Sequence, residues 1–231
     1  MATAGKVEVD SVLEAAKNYL VLQSQLSGGD FYIPQNVHKL LMSLDEPPII
    51  SLREIERSAS ACKKCRLSTT RKHVVFGAGN EQADVMLIGE APGYEEDQQG
   101  APFVGAAGKL LDKILQAIQF ERKQVYITNV LKCRPPDNRD PMPDEIQMCD
   151  FYLQSQLKQI QPRIILALGR FAGQALLKTQ APLNQIRGKV HQYLASKLIV
   201  TYHPAALLRH AEWKRPTWED VKLLRKVYDE L

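Results

Sequence analysis

The chain has 231 residues, 45% of them hydrophobic, with 30 Lys and Arg against 26 Asp and Glu. That is enough apolar content for one α/β-type domain with an appendage, and no apolar run approaches the roughly 20 residues of a membrane-spanning helix. The net charge of +4 is uneven: residues 1–60 hold 5 basic against 8 acidic side chains, and residues 61–231 hold 25 against 18, a basic excess that permits a polyanionic partner such as DNA without requiring one.

MATAGKVEVD at the N-terminus lacks the basic-then-apolar layout of a secretory leader, so the expectation is a soluble cytoplasmic protein, nucleoid-associated in a prokaryote. Residues 9–27 have helical apolar spacing at Val12, Leu13, Ala16, Leu20 and Leu26, ended by Gly28-Gly29. Pro34, Pro47 and Pro48 break any long element between residues 30 and 50. Residues 1–50 therefore read as a helix and linker, and 51–231 as the main domain. Ser51 to Ala61 predicts a short helix leading into Cys62-Lys63-Lys64-Cys65.

Short apolar segments then recur, each ending in a polar or turning residue: 84–88 before Gly89-Glu90, 125–128 before Asn129, 163–168 before Gly169, and 198–202 before His203-Pro204. Helical stretches at about 105–119, 143–160, 169–178 and 217–231 alternate with them. This alternation predicts βαβ units: an α/β protein, a three-layer α/β/α sandwich with a four-stranded, mostly parallel central sheet. GKVHQYL and SKLIVTY, before His203, read as a local hairpin. There is no internal repeat and no low-complexity tract. In open α/β sheets, ligands sit beyond the carboxyl ends of the strands, so Glu90, Asn129 and His203 are expected to converge on one cleft. The loop after Glu90 carries three more carboxylates, Glu95, Glu96 and Asp97, which the sequence alone leaves equivalent.

The cysteines are Cys62, Cys65, Cys133 and Cys149. Metal ligation is a better reading than disulfides in a cytosolic chain. A close pair with a widely spaced pair suits a [4Fe–4S] cube at least as well as Zn2+, and spacing alone leaves both open. Either centre would clamp the Pro-rich, charged loop KCRPPDNRDPMP at 132–143.

Taken together, GEAPGYEED (89–97), PFVGAAGKLLD (102–112), YITNVLKCRPP (126–136), ALGRFA (167–172), TYHPAALLR (201–209) and the four cysteines resemble a family 4 uracil-DNA glycosylase over roughly residues 55–231. The resemblance implies a [4Fe–4S] cluster of structural role rather than Zn2+. It also implies hydrolysis of the N-glycosidic bond of deoxyuridine in single- or double-stranded DNA, with the nucleotide flipped out of the stack.

Carried onto this sequence, the resemblance makes Glu90 the acid that positions water and balances the cationic sugar, and His203 the donor to uracil O2. Asn129 reads the uracil edge, Phe103 stacks under the base, Glu96 walls off the 5-methyl of thymine, and Gly89 and Gly93 belong to the same binding motif. Leu207 and Leu208 are candidates to wedge into the emptied stack. Arg209, Arg170, Lys132 and Arg134 are candidate phosphate contacts. His73, His191 and His210 receive no role, nor do Glu95 and Asp97. A related family that forms a covalent adduct has Gln after the motif Glu and an inserted basic loop; here Ala91 follows Glu90 and no such loop is present, so a hydrolytic enzyme is expected. A monomer is the default. The alternatives are a non-catalytic iron–sulfur DNA-binding or damage-sensing module and an interaction domain built on zinc.

Overall fold

A computed structural model of the protein describes residues 51–231; the helix expected at 9–27 and its linker lie outside them. The described residues form one mixed sheet with strands β1 (Ala78–Gly79), β2 (Val85–Gly89), β3 (Tyr126–Asn129), β4 (Ile164–Leu168), β5 (Val190–Tyr193) and β6 (Ser196–Thr201). The helices are α1 (Leu52–Ser60), α2 (Tyr94–Gln99), α3 (Ala106–Ala117), α4 (Pro143–Ile160), α5 (Arg170–Leu177), α6 (Leu183–Ile186), α7 (Pro204–Leu207) and α8 (Lys214–Asp229). Among the described residues no helix is long and apolar enough to cross a membrane.

The strand order is β1-β3-β2-β4-β6-β5. This corrects the expectation of four strands: the sheet has six and is mixed. The inner four, β3-β2-β4-β6, pair in parallel, while β1 and β5 join the two edges antiparallel. Both edge strands escape an apolar count for a physical reason. β1 is only Ala78-Gly79 and exposed, and β5 alternates exposed and half-buried residues. β5 and β6 form the hairpin at 190–201.

The inner strands are buried on both faces, and successive residues divide between two cores. Met86 and Ile88 of β2, with Ile165 and Ala167 of β4, pack with α1, α4 and α5. Val85 and Leu87, with Ile164 and Leu166, pack with α3 and α8. Each fully buried Leu, Ile or Val contributes about 1.5–3 kcal/mol. The helices covering the two faces have clear start signals. Ser51 and Glu54 form a reciprocal capping box at α1, and Pro143 occupies the first turn of α4. The consequence for function is that the inner strands run in one direction and all deliver their C-terminal residues to one edge of the sandwich.

Candidate active site

At that edge the apolar strands give way to polar residues. Gly89 of β2 sits in register with Asn129, the last residue of β3, and Glu90 follows Gly89. His203 lies two residues beyond β6 and caps α7. Glu90, Asn129 and His203 line one cavity of about 390 Å3, together with Gly93, Glu96, Phe103 and Arg209.

Asn129 is buried, at 1% exposure, and among the described residues its Oδ1 is the one buried side-chain polar atom with no hydrogen-bond partner. An unmet buried acceptor costs about 1–3 kcal/mol; a ligand donor is what would recover it. Phe103 is buried beside it, with its backbone in the left-handed region at φ 51, a conformation unusual for an aromatic residue. Gly108 permits that turn, because a Cβ there would meet the Phe103 carbonyl oxygen at 1.8 Å. Gly89 has a similar duty toward side chains: a Cβ on it would meet Asn129 Oδ1 at 2.3 Å and Phe103 Cζ at 2.7 Å. Gly89 is therefore the gap that lets the amide and the ring lie together.

The Phe103 and His203 rings are 5.5 Å apart between centroids, tilted by 31°. His203 Nδ1 accepts from the Ala205 N–H at 3.2 Å, so in the neutral ring the proton sits on Nε2, which is free to donate. Burial holds the His203 pKa down to about 4, with Glu96 opposing and Arg209 assisting, so the ring is neutral at neutral pH. Burial pushes Glu90 the other way, up to about 7; Asp140 raises it further and Arg170 draws it down. A half-buried carboxyl poised near 7 that shares a cavity with a neutral donor imidazole gives two groups whose environments push their protonation behaviour apart, as acid–base sites require.

A family model described as the uracil DNA glycosylase superfamily matches residues 76–224. The chain belongs to that superfamily. It is 45% identical over 180 residues to a type-4 uracil-DNA glycosylase of Archaeoglobus fulgidus, an alignment covering 74% of this chain and 90% of that one. It is 44% identical over 186 residues to the type-4 enzyme of Sulfurisphaera tokodaii, covering 77% and 84%. It is 38% identical over 172 residues to that of Thermotoga maritima, covering 73% and 90%.

Within this superfamily member, the remaining residues named from sequence fall into different places. Lys132 is a correction. It is 1% exposed, its ammonium turned into the core, and cannot reach a phosphate. Leu207 is a second correction: at 3% exposure it packs inward from α7, whereas Leu208 is 53% exposed. One residue of a helical turn faces the core and the next faces solvent. Arg209 is exposed at the cavity edge. Arg170 is exposed and lies 3.4 Å from Asp140. Arg134 stacks over the Tyr94 ring at 5.1 Å.

Glu96 lines the cavity, but its oxygens are already occupied. Oε1 accepts from the N–H groups of Val104 and Gly105 at 2.9 and 3.0 Å, and Oε2 accepts from Gly93 at 3.2 Å. It therefore ties the start of α2 to the loop that presents Phe103. Asp97 is also buried, and accepts from the Lys72 and His73 N–H groups; it clamps a basic segment onto the acidic loop. Sequence left Asp97 without a role because spacing does not reveal which carboxylate faces inward.

Pro135, Asn138, Arg139 and Asp140 also line the cavity; sequence reasoning gave their loop a clamp and candidate phosphate contacts at Lys132 and Arg134, but no place in the pocket. Ion pairs fasten the loop and the start of α4: Arg139 Nη1 donates to the buried Glu145 at 2.9 Å, and Arg66 pairs with Asp144 at 2.6 Å. The usable signal was charge density, since Asp137, Arg139 and Asp140 crowd a short Pro-rich loop.

All four cysteines line a second, separate cavity. Arg71 Nη1 donates to Cys133 Sγ at 3.1 Å and the Lys132 N–H to Cys149 Sγ at 3.3 Å. Burial pushes the Cys133 thiol up to about 11 and raises Cys149 as well, so these are not free nucleophiles. Among the described residues, no three His, Cys, Asp or Glu side chains close around one point as single-ion ligands would. A sulfur-only donor set around a shared cavity, with N–H donors aimed at the sulfurs, has the chemistry to hold a thiolate-bound metal centre, iron–sulfur or zinc.

Proposed function

We propose that this protein excises uracil from DNA by hydrolysing the N-glycosidic bond of a flipped deoxyuridine. The observation that carries this is the unmet Asn129 Oδ1 at the end of β3, beside Phe103 and a neutral His203. Uracil stacked on Phe103 offers its N3–H to that oxygen, while the Asn129 amide NH2 donates to O4. Cytosine has a lone pair at N3 and an amine at C4, which sets acceptor against acceptor and donor against donor.

As the C1′–N1 bond breaks, the electron pair leaves on uracil. His203 Nε2–H donates to O2, where the negative charge collects. Ionised Glu90 balances the oxocarbenium-like sugar and takes the proton of the water that adds at C1′. The products are uracil and an abasic site. No side chain in this scheme forms a bond to the sugar, in keeping with Ala91 after Glu90. This reading assigns contact with the strand to Arg209, Arg170 and Leu208, and their exposure supports it.

We further infer that Cys62, Cys65, Cys133 and Cys149 hold a [4Fe–4S] cluster. Its contribution is structural: it joins the segment after α1 to the loop that carries Asp140 and to α4. Purified protein is expected to contain iron and inorganic sulfide in equal molar amounts, and zinc alone would reverse the assignment. The activity test is release of free base from DNA containing uracil, thymine mispairs, hypoxanthine or xanthine. Uracil release abolished by Glu90→Ala and by His203→Ala is the expected result. DNA binding with no release of any base would leave a damage-sensing module instead.

A further inference from the structure

Lys132 is the residue that departs furthest from expectation, and its surroundings give it a different task. Its ammonium uses all three donors inside the core. They go to Thr128 Oγ1 at 2.6 Å, Gln156 Oε1 at 2.6 Å and the Asn129 main-chain oxygen at 2.7 Å. No carboxylate is among these partners. A buried lysine is among the costliest groups to keep in a core, so its place needs a reason.

Its backbone faces a different neighbour. The Lys132 N–H donates to Cys149 Sγ, its carbonyl accepts from Val75 at 2.8 Å, and Cys133 is next in the chain. Its partners are themselves braced: Thr128 Oγ1 and Gln156 Nε2 both donate to the Phe76 carbonyl, at 2.7 and 2.9 Å. One residue therefore connects the cysteine cavity, through its main chain, to the carbonyl of Asn129, through its side chain.

We propose that Lys132 is a positioning residue for uracil recognition: it fixes the end of β3 so that the Asn129 amide meets the base, and ties that strand end to the cysteine centre. The Asn129 side chain has no hydrogen bond holding its oxygen, so its aim depends on the backbone that carries it. The Lys132 ammonium grips that backbone at the Asn129 carbonyl itself. The idea rests on Asn129 being the uracil-reading amide.

The test uses full-length protein with its metal content measured, and compares Lys132→Met, Asn129→Ala and the double variant. Met keeps the length and apolar stem but removes the donors. The readouts are affinity for free uracil, affinity for uracil-containing DNA and affinity for abasic-site DNA. Asn129→Ala alone is expected to weaken uracil binding; if it does not, the recognition reading itself fails.

If it does, Lys132→Met should weaken uracil binding about 10- to 100-fold, the scale of a small misplacement of a contact group. Binding to abasic DNA should stay unchanged, and the double variant should be no worse than the more severe single variant. Additive losses, or equal losses on abasic DNA, would overturn the proposal in favour of a general packing role. Should Lys132→Met fail to fold, Gln156→Met removes one acceptor from the ammonium without touching Asn129. It is expected to weaken uracil binding by a smaller factor, and unchanged uracil binding in a folded Gln156→Met protein would overturn the proposal.

Discussion

Replacing Gly89 with alanine puts a single methyl group at the point where the candidate base pocket is tightest. Gly89 pairs with Asn129 of β3 and does not lie in the left-handed region, so alanine adopts its backbone without strain. The added Cβ would stand 2.3 Å from Asn129 Oδ1 and 2.7 Å from Phe103 Cζ. Relief to an ordinary contact near 3.4 Å requires the amide to withdraw by about 1 Å. Both neighbours border a cavity and can yield into it, so the cost falls on the site and not on the core.

A misplacement of about 1 Å is enough for a roughly hundredfold loss of kcat/KM, equivalent to about 2.7 kcal/mol of transition-state stabilisation. Stability has opposing contributions: alanine for glycine gains about 0.4–1 kcal/mol through the unfolded chain, against residual crowding. The expected outcome of Gly89→Ala is thus near-normal urea unfolding with uracil excision reduced about a hundredfold, read by single-turnover cleavage of a uracil-containing oligonucleotide. Wild-type kcat/KM in this variant would refute the placement of Asn129 and Phe103 against the base.

Excision is expected to rise with pH as Glu90 ionises around 7. Asp140→Asn removes a like charge and should move that limb of the pH–rate profile to lower pH; a limb that stays put argues against Glu90 as its source. His203 has a folded pKa near 4 and an unfolded value near 6.5, so the unfolded chain binds the extra proton and stability falls as pH drops from about 6.5 toward 4. Urea titrations at pH 7 and 5 should show that loss shrinking in His203→Gln, and an identical loss would count against a buried neutral imidazole. Leu207→Ala, a cut in the core, is expected to cost about 2–5 kcal/mol of stability. Leu208→Ala should unfold normally yet excise more slowly from duplex than from single-stranded DNA; equal effects on both substrates would remove the wedge role.

Much of the architecture was legible because the inner strands are buried on both faces. Such strands appear as short unbroken apolar runs, and Val85–Gly89 and Ile164–Leu168 lie within a residue of where those runs place them. Of the edge strands, Ala78-Gly79 was not legible, and Val190–Tyr193 showed only as half of the hairpin before His203. Ala78-Gly79 and Val190–Tyr193 are held by backbone pairing to a neighbour, not by apolar side chains, and pairing leaves no mark on composition. In the site, Glu90, Asn129 and His203 were visible as polar residues ending apolar strands. The loop at 135–140 was not, because it is held by Arg139 donating to Glu145 in the first turn of α4, and which carboxylate turns inward to receive it is not marked in composition.

By itself the sequence determined the chemistry on offer: a carboxylate, an amide and an imidazole at strand ends, an aromatic after a proline, and four thiols in two pairs. Burial alternation and strand direction are short-range properties, and they carry those groups to one edge of the sheet. Only the tertiary structure decided which way each charged group faced. Lys132 and Asp97 turn inward because particular acceptors and N–H groups from distant segments wait there, and Glu96 is consumed by three backbone donors. A lysine in a basic run and a carboxylate in an acidic loop look solvated in one dimension. Whether they are depends on partners that folding brings from 20 or more residues away, as Gln156 lies 24 residues from Lys132.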